Sequence, residues 1–443
     1  MRKLLATLTA LALLVTFATP AQAAPKYTVY QKTLANFSGD TSALTPQQRA
    51  QVRAAVEANP DAEKFICTGI RFESQPMSVN IMVRKRAKAA CDYAKELNPA
   101  LSTWFQNKPT KARSYAGKVL LTVKTLDEPA QNISLSSYDP AVVSSTALER
   151  VDEYLTRMSQ SEAVKVVLKA GPKVTDDQVA TERRRIAKSA TFWGELYDFE
   201  PIAFVYSGAD AEWMVGELNK LGNFFHDDLI LNDYWKKTGE CMQSLAVHTP
   251  VQPYYINCQR DEYAQDRMSP IAAHEFAHLP ITAKFQNQPG GFFSQTPVWM
   301  NEGTAEFFGI ALTEQARATG MAYWHRLHLN GGGKVQLTTR SSSGVELRDL
   351  LSNITVAETV ELMSVLESMS GLASNAPYSL GHWAAELMIA NGGMEKFVSF
   401  LNGMNSTTDW KKSFENNYGM SVTDFYKSMV PYLNWIGETY QVR

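Results

Sequence analysis

The sequence is short of three things: long apolar runs, closely spaced cysteines and an excess of either charge. Beyond the N-terminal segment, no stretch approaches the roughly 18 apolar residues that a membrane-spanning helix needs. The four cysteines include no C-x-x-C pair, which argues against cysteine metal sites and thioredoxin-like redox chemistry. A formal net charge of −2 gives no electrostatic basis for binding nucleic acid. We therefore expect a mature chain with no transmembrane segment and no nucleic-acid partner.

The N-terminus has the pattern of a secretory signal peptide. Arg2 and Lys3 are followed by the apolar run Leu4–Phe17 and by the small-x-small sequence Ala21–Ala23. This order predicts a signal peptide over residues 1–23 and export, so that the mature protein is secreted, periplasmic or associated with the cell envelope. A retained N-terminal anchor is the alternative.

The four cysteines then predict disulfide bonds, because an exported chain meets an oxidising environment. Four cysteines allow three pairings. Their grouping along the chain favours Cys67–Cys91 and Cys241–Cys258, since each of these bonds closes a short loop.

The length of 443 residues is more than one domain requires, and the apolar spacing divides the chain into two regions. In residues 24–126 it predicts a helix over Thr45–Asn59, a strand over Lys64–Ile70, a helix over Met82–Leu97 and a strand over Lys118–Leu126. Residues 127–146 have the composition of a linker. In residues 147–443 the pattern predicts helices over Ala147–Met158, Gln178–Leu196, Ala209–Leu221, Thr296–Leu312, Val356–Met369, Tyr378–Ala390, Met394–Leu401 and Val422–Trp435, and strands over Glu200–Tyr206 and Val251–Cys258. The predicted fold class is α+β, with a small α/β domain first.

The first unit resembles the OmpA-like peptidoglycan-binding domain. Gly69 ends its first strand, Arg86 and Tyr93 fit the helix pattern of that family, and Lys111–Arg113 precedes the last strand. The resemblance implies contact with the cell wall through Arg86. The family's Asp after the first strand is missing, so an accessory domain without a ligand is the alternative. The basic cluster Arg84–Lys88 is otherwise interpreted as a solvated helix face.

The chemistry centres on S-P-I-A-A-H-E-F-A-H-L, residues Ser269–Leu279. Ser269 suits a helix N-cap and Pro270 the first helical position. A helix there projects His274 and His278 from one face, one turn apart. Two such imidazoles can hold a single Zn²⁺, with Glu275 between them as general base toward a water molecule.

A second motif, W-M-N-E-G-T-A-E-F-F, follows two dozen residues later. It places Glu302 and Glu306 one helical turn apart. A site with two histidines needs a third protein ligand, and Glu302 can supply it. Glu306 can accept a hydrogen bond from the outer N–H of a ligating histidine and so fix its orientation.

Together, H-E-x-x-H and W-x-N-E-G-x-A-E resemble the gluzincin branch of the zincin metallopeptidases. The resemblance implies a zincin-like catalytic region, made of a small sheet with the H-E-x-x-H helix and a helical C-terminal subdomain. It implies that His274, His278 and Glu302 bind Zn²⁺. In aminopeptidase-like members, a Tyr in Y-x-x-G stabilises the oxyanion. Tyr378 occupies that pattern here, and His382 is the competing donor.

The expected function is zinc-dependent hydrolysis of peptide bonds in a peptide or protein substrate. The Gly-x-Met-Glu-Asn strand that captures a free N-terminus in aminopeptidases is absent, and its nearest equivalent, Tyr254–Cys258, lacks a carboxylate. This favours an endopeptidase. A cell-envelope binding protein with a degenerate or structural metallopeptidase-like domain is the alternative, and a zinc hydrolase acting on other bonds is the third hypothesis. The remaining histidines are interpreted as surface or packing residues: His226, His248, His325 and His328.

Overall fold

The computed structural model describes residues 26–37, 41–62, 64–72, 77–99, 101–128, 133–159, 161–222, 244–248, 252–258, 270–286, 296–340, 344–368, 375–404 and 408–441. The predicted signal peptide over residues 1–23 lies outside these ranges, as do Ser269, His226 and Cys241. The described part is mixed α+β, as predicted. None of its helices combines the length and the apolar character needed to cross a bilayer.

The first sheet contains four strands with the spatial order β1-β4-β2-β3. Its elements are β1 Lys26–Leu34, α1 Pro46–Glu57, β2 Lys64–Phe72, α2 Met77–Leu97, β3 Ser102–Thr110 and β4 Val119–Glu128. Only β2 and β3 run parallel to each other, and α2 connects them. A capping box starts α1, because the Thr45 hydroxyl accepts from Gln48 N and the Gln48 side chain accepts from Thr45 N. The predicted disulfide Cys67–Cys91 is present and joins β2 to α2.

Two of these strands, β1 and β3, are absent from the sequence prediction. Both are edge strands, and β3 contains Pro109, which is typical of a sheet edge. Glycine is required at Gly69, because a Cβ there would lie 2.2 Å from the carbonyl oxygen of Val83 on α2. Helix and sheet therefore approach each other more closely than a side chain would allow.

The interpretation of Arg84–Lys88 as a solvated helix face is wrong for Arg86. Only 7% of the Arg86 surface is exposed. Its Nε donates to the carbonyl oxygen of Thr41 at 3.0 Å and its Nη1 to that of Gly117 at 3.1 Å. Its guanidinium also lies over the Phe37 ring, 5.0 Å from the centroid. Arg86 therefore links the two loops that contain Thr41 and Gly117 within this unit.

A second four-stranded sheet has the order β5-β6-β8-β7, with β7 antiparallel and the other three parallel. Its elements, with the helices before and between them, are α3 Val143–Met158, β5 Val167–Ala170, α4 Asp176–Phe192, β6 Ile202–Tyr206, α5 Ala211–Lys220, β7 Leu245–Val247 and β8 Tyr254–Cys258. The prediction missed the short strands β5 and β7. Cys258, at the end of β8, is in a disulfide.

The rest of the described chain is mostly helical. It comprises α6 Ile271–Phe285, α7 Val298–Leu312, α8 Glu314–Thr319, α9 Met321–Gly331, β9 Lys334–Val335, β10 Val345–Glu346, α10 Leu347–Leu351, α11 Val356–Val365, α12 Ala376–Gly403, α13 Trp410–Tyr418, α14 Val422–Ser428 and α15 Val430–Tyr440. The interruption predicted near residue 391 occurs at Gly393, where φ is 67°. Helix α7 packs against both α6 and α12.

The segment predicted as a linker is in large part packed against this helical region. Strand β4 occupies it up to Glu128. From Ile133 the chain is again anchored: Ile133 N donates to Ala390 O at 3.1 Å, and Asn391 Nδ2 donates to Ile133 O at 2.7 Å. Ile133 and Leu135 belong to the same buried cluster as α6, α7 and α12. The composition of this segment does not reveal the packing, because its polar Ser and Asn residues outnumber its few buried apolar residues.

Candidate metal centre

Helix α6 presents the two predicted histidines to each other. The helix begins at Ile271, one residue later than predicted, and Pro270 precedes it. His274 and His278 are one turn apart, and their Nε2 atoms are separated by 3.1 Å. Both residues are buried, with about 8% of each exposed. The helical spacing in the sequence thus translates directly into two converging nitrogens.

Helix α7 adds the predicted carboxylate. Glu302 Oε2 lies 3.5 Å from His278 Nε2 and 3.8 Å from His274 Nε2. Ligands at roughly 2.1 Å from a tetrahedral zinc ion stand about 3.4 Å from one another. The three observed separations bracket that value, so His274, His278 and Glu302 fit a tetrahedral cation with a fourth position left open.

The outer nitrogens of both histidines are held by acceptors. His274 Nδ1 donates to Glu306 Oε2 at 3.0 Å, and His278 Nδ1 to Asn301 Oδ1 at 3.1 Å. The Asn301 amide can only face this way, because its Nδ2 donates to Glu302 Oε1 at 3.0 Å. With both outer nitrogens protonated, both Nε2 lone pairs point inward, as metal ligation requires. Glu306 was predicted for this role. Asn301 was missed, although it directly precedes Glu302.

The electrostatics of the centre reflect this convergence. Burial alone would lower the pKa of His274, but its hydrogen bond to Glu306 and the nearby carboxylates raise the pKa to about 9. Burial lowers the pKa of His278. Burial also raises the pKa of Glu275 to about 8.

Two glycines bring the W-x-N-E-G-x-A-E motif on α7 and the Y-x-x-G motif on α12 together. A Cβ on Gly303 would lie 2.1 Å from the Cα of Gly381, and a Cβ on Gly381 would lie 1.9 Å from the carbonyl oxygen of Trp299. Helices α7 and α12 therefore cross in direct backbone contact. One residue before Gly303 is Glu302, and three before Gly381 is Tyr378. The glycine contact thus sets the distance between the candidate ligand Glu302 and Tyr378.

Tyr378 is the oxyanion candidate that the structure places at the centre. Its ring stacks on the His274 ring with 6.2 Å between centroids and 15° between planes. Burial is the main cause that raises the pKa of Tyr378, and the charge of Glu302 and a hydrogen bond to it raise the pKa further. The Tyr378 hydroxyl therefore keeps its proton. The ring of the competing donor, His382, is fully buried and lies against His328 and Phe307.

The histidines interpreted as surface or packing residues are all internal where they are described. His248 is buried and pairs through Nδ1 with the Tyr197 hydroxyl at 3.0 Å. His325 and His328 belong to a buried polar network behind the centre. That network also contains Glu386, which sequence reasoning missed. The spacing of His382 and Glu386 at i and i+4 on α12 could have indicated it.

Strand β8, the nearest equivalent of a substrate strand, is backed by a buried carboxylate from α4. Glu182 is fully buried. It accepts from the Tyr255 hydroxyl at 3.0 Å and from Asn257 Nδ2 at 2.8 Å. Both carboxylate oxygens are thus used within the fold, so Glu182 does not replace the missing carboxylate of an N-terminus-binding strand.

Comparisons of this chain with protein-family models, with curated proteins and with solved structures found no match. The geometry of the centre is therefore the main indication of what the protein does.

Proposed function

We propose that this protein is a zinc-dependent metallopeptidase of the gluzincin type, acting as an endopeptidase on peptide or protein substrates. The observation that carries the proposal is the convergence of His274, His278 and Glu302 at tetrahedral spacing beside Glu275, a buried carboxylate that is not one of the three. A purely structural zinc site has no use for such a base. Zinc held by the three side chains would polarise a carbonyl and lower the pKa of a water molecule toward neutrality.

The chain's own residues then have distinct tasks. Glu275 would take a proton from the attacking water and later deliver it to the leaving amine. Tyr378 keeps its proton and can donate to the carbonyl oxygen as negative charge develops there. Glu306 and Asn301 hold the two imidazoles in the ligating orientation.

The structure offers less support for the cell-envelope binding alternative. Arg86, the one residue that the OmpA-like resemblance carried over, donates to two backbone carbonyls inside its own unit. Export and the resemblance itself remain part of the proposal. The missing carboxylate on β8 supports an endopeptidase over an aminopeptidase.

The deciding experiment measures zinc content and peptide hydrolysis for Glu275→Gln, with Glu415→Gln as control. The control makes the same change on an exposed glutamate far from the centre in the chain. We expect Glu275→Gln to bind zinc like the wild type while hydrolysis of a peptide library falls by at least about 100-fold, the lower limit of the range for a general base. Full activity in this variant would contradict the role of Glu275. A folded wild type that binds no zinc would contradict the whole proposal.

A further inference from the structure

Behind the metal centre lies a second group of buried ionisable side chains. His325 and His328 come from α9, and His382 and Glu386 from α12. His325, His382 and Glu386 are fully buried, and 7% of His328 is exposed. His325, His382 and Glu386 also lie close enough together to hold a metal ion, because one potential ligand atom of each is within 4.8 Å of the others. Whether they bind a metal depends on where the protons lie.

Hydrogen-bond polarity assigns those protons without ambiguity. Trp383 Nε1 can only donate, and it donates to His325 Nδ1 at 3.0 Å. His325 must therefore carry its proton on Nε2, which lies 2.9 Å from Ser144 Oγ. Ser144 then donates to the Tyr432 hydroxyl at 2.8 Å, and that hydroxyl donates to Glu386 Oε2.

This donor chain excludes His325 as a metal ligand in its neutral form. Ligation through Nε2 would move the proton to Nδ1, where it would face the Trp383 N–H at 3.0 Å. Two donors at that distance repel each other and leave both unsatisfied. Burial lowers the pKa of His325 to about 4, in keeping with a neutral ring that has one N–H. His325 therefore belongs to a hydrogen-bonded chain that runs through Ser144 and Tyr432 to Glu386.

Glu386 has a second oxygen, and His382 faces it. Glu386 Oε1 lies 3.5 Å from His382 Nε2. Among the described residues, neither this oxygen nor either ring nitrogen of His382 makes a hydrogen bond of ordinary geometry. A buried carboxylate oxygen is costly without a donor. A proton on His382 Nε2 meets that need, and an approach of about half an ångström gives an ordinary hydrogen bond.

His382 in turn supports a histidine that faces the metal centre. The His328 ring lies against the His382 ring, with 4.7 Å between centroids. The Ser379 hydroxyl on α12 donates to the His328 carbonyl oxygen at 3.0 Å and fixes its backbone. The His328 Nε2 lies 3.5 Å from Glu306 Oε1, the carboxylate oxygen that His274 does not use. Among the described residues this nitrogen has no hydrogen bond of ordinary geometry, and a closer approach to Glu306 would supply one.

We propose that His328 is a second imidazole donor to Glu306, and that His382, fixed by Glu386, holds the His328 ring in place. His328, His382 and Glu386 are thus positioning residues for His274, and they act through Glu306. The inference rests on the proposed zinc site. Burial lowers the pKa of His328 to about 3, which keeps this ring neutral with one N–H to donate.

The first test measures the metal centre of the full-length protein without relying on activity. The probes are zinc affinity, by competition with a chelator, and the visible d–d spectrum of the Co²⁺-loaded protein, which reports ligand geometry. We expect His328→Leu to weaken zinc binding about tenfold, the lower end of the range for residues that orient metal ligands, and to change the Co²⁺ spectrum. His328→Gln, which keeps a donor, should recover most of both. Glu182→Gln is the control, because it makes a buried carboxylate an amide outside this network.

The second test is ¹⁵N NMR of the imidazoles, which needs no metal. We expect the Nε2–H tautomer at His328 and His382 in the wild type. In Glu386→Gln, the side-chain NH₂ group would face His382 Nε2, so the His382 proton should move to Nδ1. The imidazole signals that disappear in His382→Gln are thereby assigned to His382.

Two results would overturn the proposal. One is wild-type zinc affinity and an unchanged Co²⁺ spectrum in folded His328→Leu. The other is a second bound metal ion that is lost in His382→Gln. Failure of the proposed function looks different: a wild type that binds zinc but hydrolyses no peptide leaves these spectra interpretable. If the wild type binds neither ion, the proposed zinc site fails, while the NMR tautomers still decide the interior network.

Discussion

Two groups of two histidines and one glutamate lie close together in this molecule, and they differ in what holds their outer nitrogens. In the first, His274 and His278 donate outward to the acceptors Glu306 and Asn301. In the second, His325 accepts from Trp383. The distances within the two groups are similar. The direction of one hydrogen bond therefore determines whether an inward-facing nitrogen offers a lone pair or a proton.

The two groups also differ in the solvent exposure of their side chains. The Glu302 side chain is 18% exposed, and Tyr378 beside it is only half-buried. His325, His382 and Glu386 are completely buried. Among the described residues, only the first group therefore has side-chain surface open to solvent. Distances alone do not show whether a cluster of potential ligands can bind a metal ion. The direction of the hydrogen bonds to its outer nitrogens and its exposure to solvent must be considered as well.

The largest difference should follow from removing the glutamate of each group. Glu302→Ala takes away one of three protein ligands, so we expect stoichiometric zinc to be lost. Glu386→Gln leaves all three protein ligands in place, so with excess zinc the zinc content per chain should stay at the wild-type value. Elemental analysis of both purified variants checks this. Loss of zinc in Glu386→Gln alone would reverse our assignment of the two groups.

The glycine crossing should give the next largest effect. Gly381→Ala places a methyl group within 1.9 Å of the Trp299 carbonyl oxygen, so the helices must separate. We expect a loss of about 1–3 kcal/mol in the free energy of unfolding, together with weaker zinc binding. Gly216→Ala on α5 is the control, because a Cβ there meets nothing within 4 Å. It should be neutral or stabilise the protein by up to about 1 kcal/mol, since Ala favours helix. Equal denaturant midpoints for the two variants would contradict the close approach.

Asn301→Leu should have a smaller effect that is confined to the metal centre. The change removes the acceptor for His278 Nδ1, so that the ring is free to turn. We expect zinc affinity to fall about 10–100-fold with little change in thermal stability. Chelator competition gives the affinity. A zinc affinity equal to that of the wild type in Asn301→Leu would mean that the Asn301 amide does not orient His278.

Trp383→Phe should leave the metal centre almost unchanged. It removes the donor to His325 Nδ1, which fixes the polarity of the interior chain. We expect a loss of about 1 kcal/mol in the free energy of unfolding for the hydrogen bond and unaltered zinc affinity. The His325 tautomer, followed by ¹⁵N NMR, should no longer be purely Nε2–H. A tautomer identical to that of the wild type would show that Trp383 does not set it.

Much of the candidate centre could be predicted because its parts are local. His274 with His278, and Glu302 with Glu306, are each one helical turn apart, and a helix converts that spacing into shared direction. Tyr378 needed the family resemblance, because nothing local connects it to Glu302. The interior network escaped prediction because its members come from four helices that only the tertiary fold brings together: Ser144, His325, His328, His382, Glu386 and Tyr432.

The fold was predictable to a similar extent. Long periodic helices such as α3 and α7 were found, with shifts of a few residues at their ends. The edge strands β1 and β3 were missed, since strands at sheet edges carry polar residues and even proline. Arg86 was misjudged because the sequence gives its place on a helix but not the loops that cover it. The loop residues Thr41 and Gly117 that accept its hydrogen bonds are distant in the chain.

The contact between Gly303 and Gly381 also constrains the order in which the molecule can be assembled. The candidate ligands His274, His278 and Glu302 emerge from the ribosome well before residue 381, and α7 cannot make its contact with α12 until α12 has been synthesised. The tyrosine and the three positioning residues on α9 and α12 can join the ligands only when this long-range crossing closes. Closing such a distant contact costs loop entropy and tends to come late in folding. A nascent chain can thus collect its three ligands early, but a complete centre must await the C-terminal helices.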